Sequence, residues 1–523
     1  MKSSDKFLRG AMILTIAGLL VKVIGSVNRI LLSRLLGGEG IGLYQMAYPV
    51  YLLLLSISAA GIPVAISIIV AEYLAQRDYA NVRQVFRVSL RLMAVVGLVL
   101  AAALVMAAGW LVENGVIKDA RAYYALLALT PAIFFATILA SFRGYFQGHQ
   151  LMTPPAVSQI VEQFIRVVTM VVLAYVLLPY GLEFAAAGAA FGAVPGSLTG
   201  LVVLGGFYRY YKKQWRDEEN ALPGAQLTPA CRLIKRLLLL ALPVSCANVI
   251  VPVTSSIDVL LVPKYLLAAG FSVKEATTQF GYLAGMAQPL LLMATIPTMS
   301  LATSLVPAVS EAMALKRWPL IEEKLATAMK LCCLITVPAA VGMSALAGPI
   351  SRLLYGTGEA AAAIMHSGPA IWFLGLQQVT TGMLQGMGHT NLPMLHMLAG
   401  IVAKLIAVCQ LTNAEYGIAG AAWATNINFG VTAALNILAL QYFKIKFHWL
   451  SICKIIFAAL IMGAAAQALH GLLAGFNYTL ATLAALAGAG VVYAALLPLL
   501  RIISVAELKQ LPLVKKLAQK LRK

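Results

Sequence analysis

The sequence predicts an all-α polytopic membrane protein of about 14 transmembrane helices, two parallel six-helix lobes followed by two C-terminal helices. Three observations predict it: an extreme apolar composition, basic residues sorted to alternate loops, and an internal duplication. Of 523 residues, 61% are hydrophobic and 11% charged, and the mean hydropathy is +0.86. Soluble domains carry about 25% charged residues, so a soluble enzyme, a disordered chain and a fibrous protein are all excluded.

A spanning helix needs about 20 mostly apolar residues. Segments of that kind lie near 10–36, 42–71, 88–112, 122–142, 155–179, 184–208, 237–263, 279–309, 328–350, 360–385, 391–412, 416–443, 450–472 and 476–500. The first is too long and too charged, with Lys22 and Arg29 inside it, to read as a cleaved signal sequence. With the N-terminus placed in the cytoplasm, the cytoplasmic segments hold 29 of the 39 Lys and Arg residues. The outer loops then hold Lys118, Arg121, Lys264, Lys274 and Arg352. This asymmetry predicts a cytoplasmic-membrane protein with both termini inside. The formal charge of +20 thereby reads as a topology signal facing anionic lipid, with no nucleic-acid partner. The basic run from Leu508 to Lys523 is expected to lie along the interface as an amphipathic helix.

The stretch Ala71–Leu92 (AEYLAQRDYANVRQVFRVSLRL) resembles Ser310–Leu331 (SEAMALKRWPLIEEKLATAMKL) at an offset of 239. Gln147-Gly148 with Pro155 pairs with Gln385-Gly386 and Pro393 at 238. The chain is therefore expected to divide into an N-lobe (1–208, spans 1–6), a cytoplasmic linker (209–236), a C-lobe (237–443, spans 7–12), spans 13 and 14 (444–500) and a basic tail (501–523). Six spans per repeat is an even number, so the repeats are parallel and enclose a cavity at their interface. Pro63, Pro131, Pro195, Pro243, Pro252, Pro289, Pro297 and Pro338 lie inside spans, where each frees a backbone carbonyl and permits a bend.

Ionisable residues inside a bilayer are costly, about 2.5–3.5 kcal/mol each on insertion scales, and face a cavity or a partner. In span 1, Lys22 and Arg29 are seven residues apart and share a face, with Gly25 between them allowing close approach. They are read as an anion site, with Asn28 beside them. Arg34 is rotated away and expected to snorkel to the headgroups. In span 5, Glu162 and Arg166 stand at i,i+4 in the favourable order, a self-neutralising pair. Arg143 closes span 4 in the cytoplasm. Asp258 in span 7 is either a counter-ion to the span 1 cations or a cation-coupling site. Lys404 in span 11 either lines the cavity or has a partner on another span. Glu72 and Glu311 end spans 2 and 8 at repeat-equivalent places and are expected to be structural. The six cysteines lack CxxC spacing and read as free thiols, and no histidine pair has metal-ligand spacing. No P-loop, HExxH or GxSxG motif occurs, so neither a catalytic site nor a cofactor is expected.

The stretches Asn28–Tyr44 (NRILLSRLLGGEGIGLY), Ala60–Tyr73 (AGIPVAISIIVAEY) and Arg143–Arg166 (RGYFQGHQLMTPPAVSQIVEQFIR) resemble the SpoVB-type branch of the MOP flippase superfamily, close to the MurJ-type lipid II flippases. The likeness covers essentially the whole chain. It implies alternating-access movement of an undecaprenyl-pyrophosphate-linked peptidoglycan precursor, for a sporulation-type member toward the spore cortex. It also implies a groove near spans 13 and 14 for the polyprenyl tail, and cell-wall synthases as partners. The MurJ-type pattern in span 1 is a cation, x-x-Gly-x-x, then Arg-Asp; here Lys22 and Gly25 match, and Asn28-Arg29 moves the second cation by one place. Span 8 has no arginine, which leaves Arg166 or Lys404 to complete an anion site. Competing readings are a flippase for another lipid-linked oligosaccharide, a MATE-like antiporter, and a non-transporting scaffold of a cell-wall synthesis complex. A MATE-like exporter of cations should present acids to its cavity, where span 1 presents cations.

Overall fold

The computed structural model describes residues 3–59, 61–219, 227–443, 445, 449–475 and 477–502, and among these every regular element is helical. The expected tail helix and part of the linker lie outside the described residues. The fourteen apolar segments all fall on helices. Nine helices, with one bent pair as a tenth span, are long and apolar enough to cross a membrane among the described residues.

Helix α1 (Ser3–Ala59) holds two spans, folded back at Gly37, whose φ of 66° lies in the left-handed region that glycine enters without a Cβ clash. α2 (Ile62–Ala75) restarts the second span with Pro63 in its first turn, where a missing N–H costs nothing. α3 (Tyr79–Glu113) is capped by Asp78, whose side chain accepts from the Asn81 backbone N–H. α4 (Ala122–Gly148) and α5 (Thr153–Leu177) follow, then α6 (Leu182–Phe191) and α7 (Ala193–Glu219), which together make the sixth span. α8 (Ala230–Ala268) covers the expected seventh segment. The eighth is broken: α9 (Val273–Gly281) opens on a capping box of Ser272 and Glu275, passes through a π-helical turn at Tyr282–Ala287, and continues as α10 (Gln288–Ala294) and α11 (Ile296–Ala314). The break bends the span by 47°. Pro289 and Pro297 stand in the first turns of α10 and α11, so these prolines mark restarts of the span. α12 (Trp318–Ala345), α13 (Ala347–Tyr355), α14 (Ala361–Gly386), α15 (Asn391–Leu411), α16 (Gly417–Tyr442), α17 (Trp449–Leu473) and α18 (Tyr478–Leu499) complete the chain.

The helices form two compact units, Met1–Gly285 and Met286–Lys523, dividing in the π-helical turn of the eighth span. The first unit's core joins α2, α3, α4 and α8 through Ile66, Ile69, Val85, Phe86, Tyr145 and Leu237. The second joins α11, α12, α14 and α17 through Val309, Cys332, Cys333, Met383 and Ile455. Apolar side chains also cover the outside: Val95, Leu98 and Val99 of α3 are 60%, 63% and 59% exposed. That pattern suits a lipid solvent, in which only the backbone polar groups must be satisfied internally.

The duplication is visible in the backbone. Arg77 and Lys316 are both left-handed, with φ of 57° and 54°. The following residues, Asp78 and Arg317, share φ of −90° with ψ of 72° and 74°. Glycines repeat the same close helix crossing in each unit. A Cβ on Gly148 would lie 2.6 Å from the Val70 Cβ, and one on Gly386 would lie 2.8 Å from the Val309 Cβ.

Candidate functional site

Charged and aromatic side chains of the first unit form a connected line. In α1, beyond the Gly37 elbow, the run YQMAYPVY places Tyr44, Tyr48 and Tyr51 on one helical face at i, i+4 and i+7. Tyr44 and Tyr48 stack with ring centroids 5.3 Å apart, and Tyr48 and Tyr51 lie 5.9 Å apart. Before the elbow, the Arg29 guanidinium sits over the Tyr48 ring, 5.7 Å from its centroid. Such a contact is worth about 0.5–2 kcal/mol and leaves the guanidinium N–H groups available.

At the far end of the line, Glu162 of α5 is held by two arginines. Arg166 Nη2 donates to Oε1 at 2.8 Å, and Arg143 Nη2, from α4, donates to Oε2 at 2.6 Å. The side chains of Arg143, Glu162 and Arg166 are 20%, 13% and 16% exposed. Arg166 lies about 20 Å along α5 from its start at 1.5 Å per residue, well inside the span. Gly196 of α7 lets that helix close behind the pair, since a Cβ there would lie 2.9 Å from the Arg166 Cβ. Tyr51, Arg143, Glu162 and Arg166 line a cavity of about 280 Å³ whose other walls are apolar, among them Leu52, Leu55, Pro63 and Leu139.

The remaining sequence-derived candidates are placed as follows. Lys22 is exposed on α1. Gly25 faces α5, where a Cβ would meet Gln163 Nε2 at 3.2 Å, and buried Asn28 donates from Nδ2 to the Met170 sulfur at 3.3 Å. Those two residues lie in the seam with α5, so Lys22 and Arg29 flank a packing contact. Arg34 is exposed. Asp258 on α8 and Lys404 on α15 are buried, 4% and 2% exposed, in the first and second unit respectively. Glu72 is ion-paired with Arg236, tying the end of α2 to the start of α8, and Glu311 is exposed at the end of α11. No group of three or more His, Cys, Asp or Glu suited to a metal occurs among the described residues.

The i,i+4 spacing located the Glu162–Arg166 pair. The tyrosines were legible as a periodic face but carry no charge to draw notice. Arg143 as the second partner, 19 residues from Glu162, had no local signal.

A second network lies at the elbow. Arg121 Nη1 binds Glu39 at 2.6 Å and its Nη2 binds Asp119 at 2.8 Å, while Thr277 of α9 donates to Asp119 at 2.8 Å. Lys274 Nζ stands 3.6 Å from Glu39. Burial pushes the Asp119 carboxyl up, but hydrogen bonds from Arg121 and Thr277 outweigh that and hold it below its ordinary value. The glycines of LGGEGIGLY explain the tight fit: a Cβ on Gly281 would lie 1.9 Å from the Gly38 carbonyl oxygen, and one on Gly42 2.2 Å from the Thr277 carbonyl oxygen.

Comparison with known proteins agrees with this architecture. Residues 7–313 match the family described as polysaccharide biosynthesis protein, and residues 283–408 match MatE. Stage V sporulation protein B of Bacillus subtilis (strain 168) is 32% identical over 98% of this chain and 99% of its own length. The lipid II flippase MurJ of the same organism is 27% identical over 77% of each chain. Among solved structures, a lipid II flippase MurJ in an inward closed conformation superposes with a TM-score of 0.69 over 93% of this chain and 98% of its own, at 15% identity. An inward-facing MATE multidrug resistance transporter gives 0.64 over 81% and 94%, at 16% identity. These last two likenesses bear on fold. Together the matches show that the chain belongs to the polysaccharide biosynthesis protein family of the MOP superfamily, a group of multi-pass membrane transporters.

Proposed function

We propose that the chain flips an undecaprenyl-pyrophosphate-linked peptidoglycan precursor of the lipid II type from the inner to the outer leaflet of the cytoplasmic membrane. The relatives named as a lipid II flippase and a sporulation protein support the substrate class, and the full-length match to the latter supports a role in spore cortex assembly. The observation that carries the reading is the Arg29–Tyr48 stack, continued by Tyr44 and Tyr51. A cation beside a row of aromatic faces suits a pyrophosphate followed by sugars, whose C–H faces pack on aromatic rings. Lys22, on the same helix, supplies the second positive charge.

In this mechanism the headgroup enters from the cytoplasm and its pyrophosphate is neutralised by Lys22 and Arg29. The lobes formed by spans 1–6 and 7–12 then rock to expose it outside. Asp258 is proposed as a counter-ion to the span 1 cations or as a cation-coupling site, and Lys404 as a cation lining the cavity or paired on another span. The polyprenyl tail stays in lipid. An apolar cavity of about 470 Å³ in the second unit, with Pro338, Met343, Met462, Leu486 and Tyr493 among its walls, suits part of it. Basic loops on one face support cytoplasmic termini and contact with anionic lipid, and cell-wall synthases are the proposed recipients of the product.

The test is leaflet-resolved detection of labelled lipid II in cells that depend on this protein. Lys22→Gln with Arg29→Gln, at normal expression, should abolish exposure at the outer leaflet, a loss of about tenfold or more per charge removed at an intermediate dielectric. Unchanged exposure would sink the anion-site reading, and full complementation without any exposure would favour a scaffold. Export of a cationic drug by the same variant would favour a MATE-like antiporter.

A further inference from the structure

We propose that the cavity between α1, α4 and α5 of the first unit is a binding site for one small monovalent inorganic anion, a halide such as chloride. This goes beyond the transport reading and does not depend on which lipid is carried. The three charged residues that line the cavity, Arg143, Glu162 and Arg166, sum to one positive charge. Glu162 spends both oxygens on the two Nη2 groups. What is left over is mostly donor capacity, two guanidinium N–H groups and one hydroxyl. Arg143 Nε, Arg166 Nε and the Tyr51 hydroxyl are buried with no hydrogen-bond partner among the described residues.

A guanidinium offers donors and no acceptor, so only an acceptor can satisfy the two Nε atoms, while the Tyr51 hydroxyl can both donate and accept. Tyr51 is wholly buried and can turn its O–H toward the same point. An unpaired buried donor costs about 1–3 kcal/mol, and an uncompensated charge inside a span costs more. Water would satisfy the donors but leave the charge. A single monovalent anion does both, whereas a pyrophosphate would overcompensate one positive charge among Leu52, Leu55 and Leu139. The repeat-equivalent residues of Arg143 and Glu162 are Thr381 and Gly400, so the site is confined to the first unit.

The purified full-length protein in detergent is to be titrated with chloride against gluconate at constant ionic strength, following thermal unfolding and equilibrium binding of radioactive chloride. Wild type should show saturable binding at one site and a matching stabilisation. Arg166→Gln brings the cluster to zero charge and should abolish both. Glu162→Gln raises it to two positive charges and should tighten binding by about tenfold or more, the effect of a unit charge a few ångströms away. Tyr51→Phe should weaken binding several-fold with folding unchanged. The opposite directions expected of the two charge variants separate a site from general damage. The proposal is overturned by a chloride response that survives Arg166→Gln, by charge variants that shift binding the same way, or by a non-saturable response to any salt. It is also overturned if inorganic pyrophosphate displaces chloride at lower concentration than chloride binds, which would make the cavity a substrate subsite. Loss of lipid exposure in Lys22→Gln/Arg29→Gln with chloride binding intact would leave it standing.

Discussion

The two units repeat particular helix crossings but carry different chemistry at the positions related by the sequence offset. An offset of 238 places Arg143, Glu162 and Arg166 of the first unit on Thr381, Gly400 and Lys404 of the second. The cation within α5 is kept within α15, while the acid and the second arginine are replaced by neutral groups. In the second unit Asn436 donates from Nδ2 to Thr380 and Thr381 at 3.1 and 3.0 Å, and its Oδ1 lies 2.7 Å from His396 Nδ1. Gly400 gives its space to α16, since a Cβ there would lie 2.2 Å from Thr432 Oγ1. Helix crossings related by the sequence offset thus accommodate either an ion cluster beside a cavity or a closely packed neutral seam. Volume at a single position, Glu162 or Gly400, separates the two.

The sharpest way to break the comparison is Gly400→Glu, which writes the acid of the first unit into the second. Overpacking costs about 1–3 kcal/mol, and a carboxylate forced against the Asn428 carbonyl adds to it. Thermal unfolding in detergent should show a protein much less stable than wild type; wild-type behaviour would mean that the packing of α15 on α16 does not exclude charge. Smaller and paired effects are expected for Gly148→Ala and Gly386→Ala. Both glycines meet the same valine of their repeat at nearly the same distance, so each should cost about 1–3 kcal/mol and the two losses should be similar. Unequal losses would show that the repeats share backbone but not packing.

The smallest effect concerns the elbow, where the first unit has Glu39, Asp119 and Arg121. With its carboxyl held below the ordinary value of 3.8, Asp119 adds stability that is complete above that pH. The contribution fades as pH falls from there through the lowered folded value. Acid unfolding should therefore lose part of its slope below about pH 4 in Asp119→Asn. An unaltered profile would remove Asp119 from the elbow's contribution to stability.

The elbow and the cavity cluster were unequally legible beforehand. The gap between the apolar segments 10–36 and 42–71 marked a break at the elbow but did not single out Gly37, where the structure places the left-handed backbone. The Glu162–Arg166 pair was readable because residues four apart share a helix face. Nothing local could assign Arg143 to Glu162 or Arg121 to Glu39, which lie 19 and 82 residues away in sequence. Lys22 and Arg29 were read as one anion site; the intervening Gly25 and Asn28 are committed to packing against α5, which no single-helix projection reveals.

By itself, the sequence determined the helical membrane class and which apolar segments become helices, because bilayer thickness and backbone hydrogen bonding leave few alternatives to a long apolar helix. Only the tertiary structure decided which charges are neutralised and which donors stay unmet. That depends on side chains brought within 3 Å by helices distant in sequence, where one missing Cβ or one extra carboxylate changes the outcome.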